Sequence, residues 1–409
     1  MKRIHFTGIG GAGMAPLAEL TLAKKCLVSG SDESDSAKIL HLKESGAEVY
    51  TGHRAENLPD NASLLVYSSA VPENNCERKK AAALNIPQIR RGGYLAELAK
   101  SYRRCVSVTG THGKSSITAA LVMILRKCGY DPGFIIGAEV AGLPSCAPGD
   151  GDIFVTEADE SDGTHTLLEN FLAVIPNIED DHEWSLGGAE KLDENFRIVA
   201  RNSCNILYYS SKKCSELFCD HPAAVILQDI PEKFALLHGF QASNARIAAE
   251  AAVLLGCDRA MAYQAAEDYP QVLRRMTLHR NSENLVVIED YAHHPTEVRA
   301  ALELLRKNYP DAHLRVLFQP HRFARLEKYF NEFAEVLHLA DSVFIAPVFA
   351  AWSETGSVNA ADLAAAAGGI AAVGTFREQA ETVKADLPEG KNVIAVLGAG
   401  DVNKVIEFL

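Results

Sequence analysis

Short apolar runs alternate with stretches of helical period along most of the chain, and that alternation predicts parallel strands covered by helices. Ile4-His5-Phe6-Thr7 reads as a first strand, followed by Gly8 to Gly13, a helix from Met14 to Lys24 and a second strand from Cys26 to Ser29. Leu64 to Tyr67 is a later strand with Ser68-Ser69 at its carboxyl end, and Gly52-His53 lies between these elements. Cys105 to Val108, Ile153 to Thr156 and Leu172 to Ile175 repeat the pattern, as do Leu285 to Ile288, Leu314 to Phe318 and Val393 to Leu397. Helices are expected from Ser115 to Lys127 and from Thr296 to Lys307, and the alanine-rich stretch Ala361 to Ala372 should be partly helical. The fold class is therefore α/β. At 409 residues the chain should form two or three domains. The polar stretch Lys100 to Arg104 and the basic Leu273-Arg274-Arg275-Met276 mark the breaks, which gives 1–102, 103–268 and 269–409.

Two glycine turns stand where a strand meets a helix. Gly8, Gly10 and Gly13, with Asp32 after the second strand, match the dinucleotide-binding fingerprint in spacing and context. By itself the match says only that a diphosphate is held, in a nicotinamide dinucleotide or another nucleotide. In the second turn, Gly110 and Gly113 let the backbone close around phosphate oxygens and the helix start offers unpaired N–H groups. Lys114 can neutralise β/γ oxygens and Ser115 can ligate Mg²⁺, so the loop reads as an ATP site. It meets only half of the general P-loop pattern, because Val108 stands at the first glycine position.

Further polar clusters gather at strand ends, where open α/β sheets place ligands. Glu157, Asp159, Glu160 and Asp162 follow one strand, and Mg²⁺ favours one or two carboxylates plus phosphate oxygens and water. Pro176 to His182 follows another, and two such ends flanking one nucleotide turn imply an active site. The third block delivers Asp290-Tyr291-Ala292-His293-His294-Pro295 and then Gln319-Pro320-His321-Arg322-Phe323-Ala324-Arg325. Its paired histidines lack a third ligand at zinc spacing. A net charge of −13 argues against a nucleic-acid partner held by a broad basic face, so the anion sites must be local. No apolar run approaches the ~20 residues needed to span a bilayer, and Met1-Lys2-Arg3 leads straight into a strand. No membrane insertion and a cytoplasmic location are expected. Nine cysteines without any Cys-x-x-Cys pair suit reduced thiols.

Taken together, GIGGAGM at 8–14, SGSD at 29–32, GTHGKSS at 110–116, EADESDG at 157–163, NIEDDH at 177–182, DYAHHPTE at 290–297 and FQPHRFAR at 318–325 resemble the Mur ligases across essentially the whole chain. The likeness is strongest to those members that add L-alanine to UDP-N-acetylmuramate in peptidoglycan precursor synthesis. It implies an N-terminal Rossmann-like UDP-sugar domain, a central P-loop ATPase-like domain and a C-terminal Rossmann-like domain. It further implies a cytoplasmic monomer or homodimer using ATP and Mg²⁺. By the same resemblance Gly8, Gly10, Gly11, Ala12, Gly13, Met14, Ser31, Asp32, Ser68 and Ser69 bind the UDP-sugar. Gly110, Thr111, His112, Gly113, Lys114, Ser115, Ser116, Asn244, Arg275 and Asp290 bind ATP, and Ser115, Glu157 and His182 serve the metal. Tyr291, Arg322 and Arg325 would receive the amino acid, since a carboxylate suits a guanidinium fork. Lys114, His293, His321 and Arg322 would carry the chemistry, either histidine being a candidate base for the incoming amine.

The chain departs from that family at several points. Phe240-Gln241 stand where His-Asn is usual, Trp184 replaces an acid, Phe349 to Glu354 differs from Tyr-Ala-Ala-Gly-Glu, and the segment between Ile206 and His238 is short. Other readings follow: a ligase for a recycled tripeptide, glycine or serine, or a non-catalytic nucleotide-sugar sensor. A dehydrogenase using Gly8 to Gly13 would leave Lys114, Glu157 and His182 without a task.

Overall fold

The computed structural model describes residues 2–180, 187–228, 237, 240–350 and 355–409, and it contains three sheets in chain order. The first is built from β1 (Arg3–Thr7), β2 (Leu27–Asp32), β3 (Glu48–Thr51), β4 (Leu64–Tyr67) and β5 (Gln88–Arg90), all parallel, in the order β3-β2-β1-β4-β5. The order reverses between β1 and β4, which opens a crevice at their carboxyl ends. The second comprises β6 (Arg104–Val108), β7 (Gly133–Ile135), β8 (Cys146–Ala147), β9 (Ile153–Glu157), β10 (Asn170–Ile175), β11 (Ser203–Tyr209) and β12 (Ala224–Leu227). There β6 lies between β9 and β10, so the phosphate-loop strand has both acidic strand ends as neighbours.

The third sheet holds β13 (Thr277–Asn281), β14 (Leu285–Asp290), β15 (His313–Phe318), β16 (Ser342–Ile345), β17 (Ile370–Ala371) and β18 (Asn392–Leu397), in the order β13-β14-β18-β15-β16-β17. Alternate residues of its central strands enter two separate cores. Val286, Ile288, Leu314, Val316, Val393 and Ala395 face one way, while Val287, Leu317, Ile394 and Val396 face the other. A strand buried on both faces is apolar at most of its positions, which is why these strands read as near-continuous runs. By compactness the chain divides into two units, Met1–Leu237 with Gln241–Pro270, and His238–Phe240 with Gln271–Leu409.

One expectation needs correction, and one is met in part of its length. The sheets are not wholly parallel: β8 runs antiparallel to β7, and β13 antiparallel to β14. A tight connection at Ser282, whose N–H donates to the Leu285 carbonyl at 2.9 Å, allows only an antiparallel return at that edge. The alanine-rich stretch is helical over Ala360–Ala366 and then turns at Gly368, which lies at φ +65°, into the edge strand β17. Helix propensity ends where two glycines free the backbone.

Candidate active site

The end of β1 turns sharply at Gly8, with φ +82°, where a side chain would meet Ser68 Cβ at 3.0 Å. The N–H groups of Gly8 and Ile9 both donate to the Ser31 carbonyl, at 2.8 and 3.0 Å, and Gly10 N–H donates to Asp32 Oδ2 at 2.8 Å. These bonds fix Gly8 to Gly13 against the end of β2, with Gly11, Ala12 and the buried Met14 leading into the helix Ala15–Ala23. Ser31, Asp32 and Ser68 border the loop, while Ser69 is exposed and its Oγ accepts from Arg90 Nε at 3.1 Å. Beneath lies Glu77, fully buried, whose Oε2 accepts from Thr7 Oγ1 and Ser31 Oγ, each at 2.7 Å, and lies 3.2 Å from His5 Nε2. Its Oε1 accepts from Asn57 Nδ2 at 3.1 Å and Arg54 N–H at 3.3 Å. Burial alone would raise this carboxyl, but hydrogen bonds from His5, Ser31 and Thr7 and the His5 charge hold it down at about 2. Ser31 Oγ also lies 2.8 Å from His53 Nδ1, so the same network orients that ring.

The second turn is clasped by its neighbours. Gly110 and Gly113 lie at φ +127° and +85°, and Lys114 begins the helix Lys114–Lys127. Thr111 N–H donates to the Asn177 carbonyl at 3.2 Å, His112 N–H to Asn177 Oδ1 at 2.7 Å, and Glu179 N–H to Thr111 Oγ1 at 2.8 Å. The His112 Nε2 atom is 3.4 Å from Glu179. Lys114 Nζ donates to the carbonyls of Gly110 at 2.7 Å and Thr111 at 3.2 Å, and to Glu160 Oε2 at 2.9 Å. Burial would lower its pKa, yet Glu160, Asp159 and Glu157 raise it, so the ammonium stays charged. Ser115 Oγ donates to Glu157 Oε2 at 2.6 Å. Burial raises Glu157 against Ser115 and Lys114, and burial with Asp159 raises Glu160 to about 7 despite the lysine. Ser116 is buried in the same turn, and Asn244 Oδ1 reaches within 2.8 Å of where a Gly113 side chain would begin. One lysine thus serves three carboxylates, a cluster with room for further positive charge. His182, Trp184 and Glu354 lie outside the described residues.

In the third sheet Asp290, Leu397 and Phe318 pair side by side, so the loops after β14, β18 and β15 leave one edge together. Asp290 is buried and accepts from Met276 and Ala292 N–H groups, each at 2.8 Å. Burial pushes it up to about 6 against the pull of Arg275. Arg275 Nη1 donates to Glu297 at 3.2 Å, and its guanidinium lies 5.4 Å from the Tyr291 ring centre. His293 Nδ1 is 2.9 Å from the Tyr291 carbonyl and 3.2 Å from Glu297 Oε2, and its ring lies 5.7 Å from that of His321. Arg325 is buried, and its Nη1 lies 3.2 Å from both the carbonyl and Nδ1 of His321. Arg322 adopts φ +72°, an uncommon conformation for a non-glycine residue. The Gly398 and Gly400 carbonyls accept from Arg274 Nη2 at 2.8 and 3.0 Å, so the closing turn is tied into this edge.

Within the first unit, then, one glycine loop gathers Ser31, Asp32 and Ser68, and the other gathers Glu157 and Asn244. Within the second unit, Arg275, Asp290, Tyr291, His293, His321, Arg322 and Arg325 share the sheet edge. Sequence reasoning did not single out Glu77, His5, Arg91 or Glu297 as parts of these sites.

Comparison with known proteins points to one family. The pattern of the Mur ligase family, catalytic domain, matches residues 3–103, and that of the Mur ligase, glutamate ligase domain, matches residues 274–400. A UDP-N-acetylmuramate–L-alanine ligase of Aquifex aeolicus is 34% identical over 445 aligned positions, spanning 100% of this chain and 97% of that protein. Its counterpart from Renibacterium salmoninarum is 35% identical over 86% of this chain and 83% of its own length. Among solved structures, a UDP-N-acetylmuramate-alanine ligase from Thermotoga maritima superposes with a TM-score of 0.81 at 23% identity, covering 100% of this chain and 98% of that one. A murein peptide ligase from Psychrobacter arcticus reaches a TM-score of 0.70 at 20% identity over 99% and 97%. At such identities the structural likenesses speak for the fold.

Proposed function

Because the chain belongs to the Mur ligase family, we propose that it joins L-alanine to the muramate carboxylate of UDP-N-acetylmuramate, with cleavage of ATP to ADP and phosphate, in peptidoglycan precursor synthesis. The observation that carries the reading is the second glycine turn: Lys114 held over the Gly110 and Thr111 carbonyls, with Ser115 on Glu157 beside it. A phosphate chain lying in that turn would meet the ammonium and the N–H groups at the helix start.

Magnesium fits the oxygen donors of this turn. Glu157 is a half-buried carboxylate whose pKa is raised by desolvation and by Asp159, a cost that a divalent cation would relieve, and the Ser115 hydroxyl lies 2.6 Å from it. Glu157 and Ser115 would hold the ion, together with His182. When bound it would shield charge on the transferred phosphoryl group.

The muramate carboxylate attacks the γ-phosphorus of ATP, and the acyl phosphate forms as ADP leaves. Lys114 draws charge from the phosphoryl oxygens, while Gly110 to Ser116, with Asn244, Arg275 and Asp290, hold the nucleotide. Tyr291, Arg322 and Arg325 orient the alanine carboxylate. His293 or His321 takes a proton from its ammonium, the free amine attacks the acyl carbon, and phosphate departs from the tetrahedral intermediate. Gly8, Gly10, Gly11, Ala12, Gly13 and Met14, with Ser31, Asp32, Ser68 and Ser69, hold the sugar nucleotide. Three domains, 1–102, 103–268 and 269–409, divide these tasks. Among the described residues no helix is long and apolar enough to cross a membrane, and the proposed setting is the cytoplasm, as a monomer or homodimer.

Phosphate release measured with UDP-N-acetylmuramate and, in turn, alanine, glycine, serine and a muropeptide-type tripeptide tests the reading. Release should require both substrates and be fastest with alanine. Turnover without the sugar nucleotide, or preference for the tripeptide, would overturn it.

A further inference from the structure

Arg91 touches both glycine-loop neighbourhoods of the first unit, although neither loop's motif contains it. It opens the helix Arg91–Ala99 directly after β5. Its Nη1 lies 2.8 Å from where a Gly13 side chain would begin, and its Cδ and Cζ lie 3.0 and 3.3 Å from that point. The guanidinium therefore fills space that glycine leaves open in the first loop. On its other side Nη2 donates to Asp162 Oδ2 at 2.5 Å and to Thr164 Oγ1 at 3.2 Å. The helix sits so near that a side chain at Gly92 would collide with Thr164 Oγ1. Asp162 closes the acidic segment in which Glu157 receives Ser115 and Glu160 receives Lys114. The side chains of Arg91 and Asp162 are only 20% and 17% exposed, so their attraction is less screened than that of a surface pair.

Electrostatics gives this placement a purpose. The charged side chains that otherwise fix the first loop are carboxylates: Asp32 on Gly10 N–H, and Glu77 beneath Ser31. A diphosphate laid on that loop in a chain of net charge −13 would face repulsion unless a cation stood beside it. Arginine suits the task, because its planar fork can give one edge to a carboxylate and another to a phosphate. The bonds to Asp162 and Thr164 both leave from Nη2, and Nη1 is the atom nearest Gly13.

We propose that Arg91 positions the diphosphate of the sugar nucleotide over Gly13, and that Asp162 aims its guanidinium; the inference rests on the UDP-N-acetylmuramate reading of the first loop. Asp162 in turn belongs to the acidic segment that holds Lys114 and Ser115. Sugar-nucleotide binding is thereby linked mechanically to the turn that handles ATP.

The test uses the full chain and the variants Arg91→Ala, Arg91→Lys and Asp162→Asn, with binding of uridine, UDP and UDP-N-acetylmuramate followed by calorimetry. Arg91→Ala should weaken UDP and UDP-N-acetylmuramate roughly 10- to 100-fold, the range of a charged hydrogen bond, and leave uridine within about threefold. Lysine should restore part of the loss, and Asp162→Asn should weaken UDP several-fold in the same direction. In steady state the KM for the sugar nucleotide should rise while the KM for ATP stays within about threefold. Equal losses for uridine and UDP, or unchanged UDP affinity in a folded Arg91→Lys or Arg91→Ala chain, would overturn the assignment and leave the proposed reaction standing. Failure of the wild-type chain to bind UDP-N-acetylmuramate at all would overturn the reading of the loop and this assignment with it.

Discussion

Glu77→Gln is the substitution through which the first loop's foundation can be measured. The wild-type carboxylate is completely buried and receives donors from Thr7, Ser31, Asn57 and Arg54, with His5 at 3.2 Å. Glutamine keeps the shape but turns one oxygen into a donor. It therefore either faces Asn57 Nδ2 and Arg54 N–H, 3.1 and 3.3 Å away, or disrupts the Thr7 and Ser31 side. The drop from an ordinary 4.5 to about 2 corresponds to about 3 kcal/mol, at about 1.4 kcal/mol for each pKa. Because the folded value lies below the unfolded one, this stabilisation is fully present above pH 4.5 and is lost as the pH falls toward 2. Urea unfolding at pH 7, followed by circular dichroism, should show a midpoint about 1 M lower for the variant, if m is about 3 kcal/mol/M. Repeated at lower pH, the gap should narrow, because the unfolded wild-type chain takes up a proton at Glu77 that the folded chain does not, while the variant has no such group. Equal midpoints at pH 7, or a gap constant from pH 5 to pH 3, would refute the reasoning.

Other expectations concern the second turn. Lys114→Ala should reduce phosphate release at least about 1000-fold while UDP-N-acetylmuramate binding, measured by calorimetry, stays within threefold, because the partners of this ammonium, Gly110, Thr111 and Glu160, belong to the second turn and its acidic neighbour. Gly137→Ala would place a methyl group onto the Glu157 carboxylate, so the Mg²⁺ concentration for half-maximal turnover should rise about tenfold or more in a titration at fixed ATP. Glu160 is raised to about 7 from 4.5, so the folded state holds its proton more tightly and stability should decline as pH rises through that window, by up to about 3 kcal/mol. Glu160→Gln should flatten that part of the curve in urea unfolding between pH 4.5 and 7; an unchanged slope would show that the carboxylate is ionised throughout.

The parts legible in the sequence were those whose signal is local. Each central strand is an apolar run because both its faces are buried, and each candidate loop follows such a run, so the α/β class and the loop positions could be read directly. What escaped depends on distant segments meeting. Glu77 sits in the helix Cys76–Ala83 among arginine and lysine, where it looks like a solvated first-turn acid. Its burial exists only because the ends of β1 and β2 close over it. Arg91 forms a doublet with Arg90 and resembles surface charge until the fold brings it to Gly13 and to Asp162, 71 residues further on. The edge strands β8 and β13 escaped for another reason: β8 has two residues, and β13 is mostly exposed, so neither shows a buried period.

Val108 shows how a broken motif can be explained by its neighbours. A generic phosphate loop leaves its strand early and uses a first glycine to do so. Here Val108 is fully buried and still paired, with Glu157 on one side and Val174 on the other, so the strand runs on where that glycine would stand. The backbone first turns left-handed at Gly110, and a side chain there would strike the Asn177 carbonyl from the end of β10. Asn177 also receives the N–H groups of Thr111 and His112. The curvature that a longer loop builds from its own glycine is supplied in this shorter loop by a neighbouring strand end. A residue larger than glycine at 110 would accordingly push on β10 and its following acidic segment, and a change at Asn177 would be felt at Lys114 without touching it.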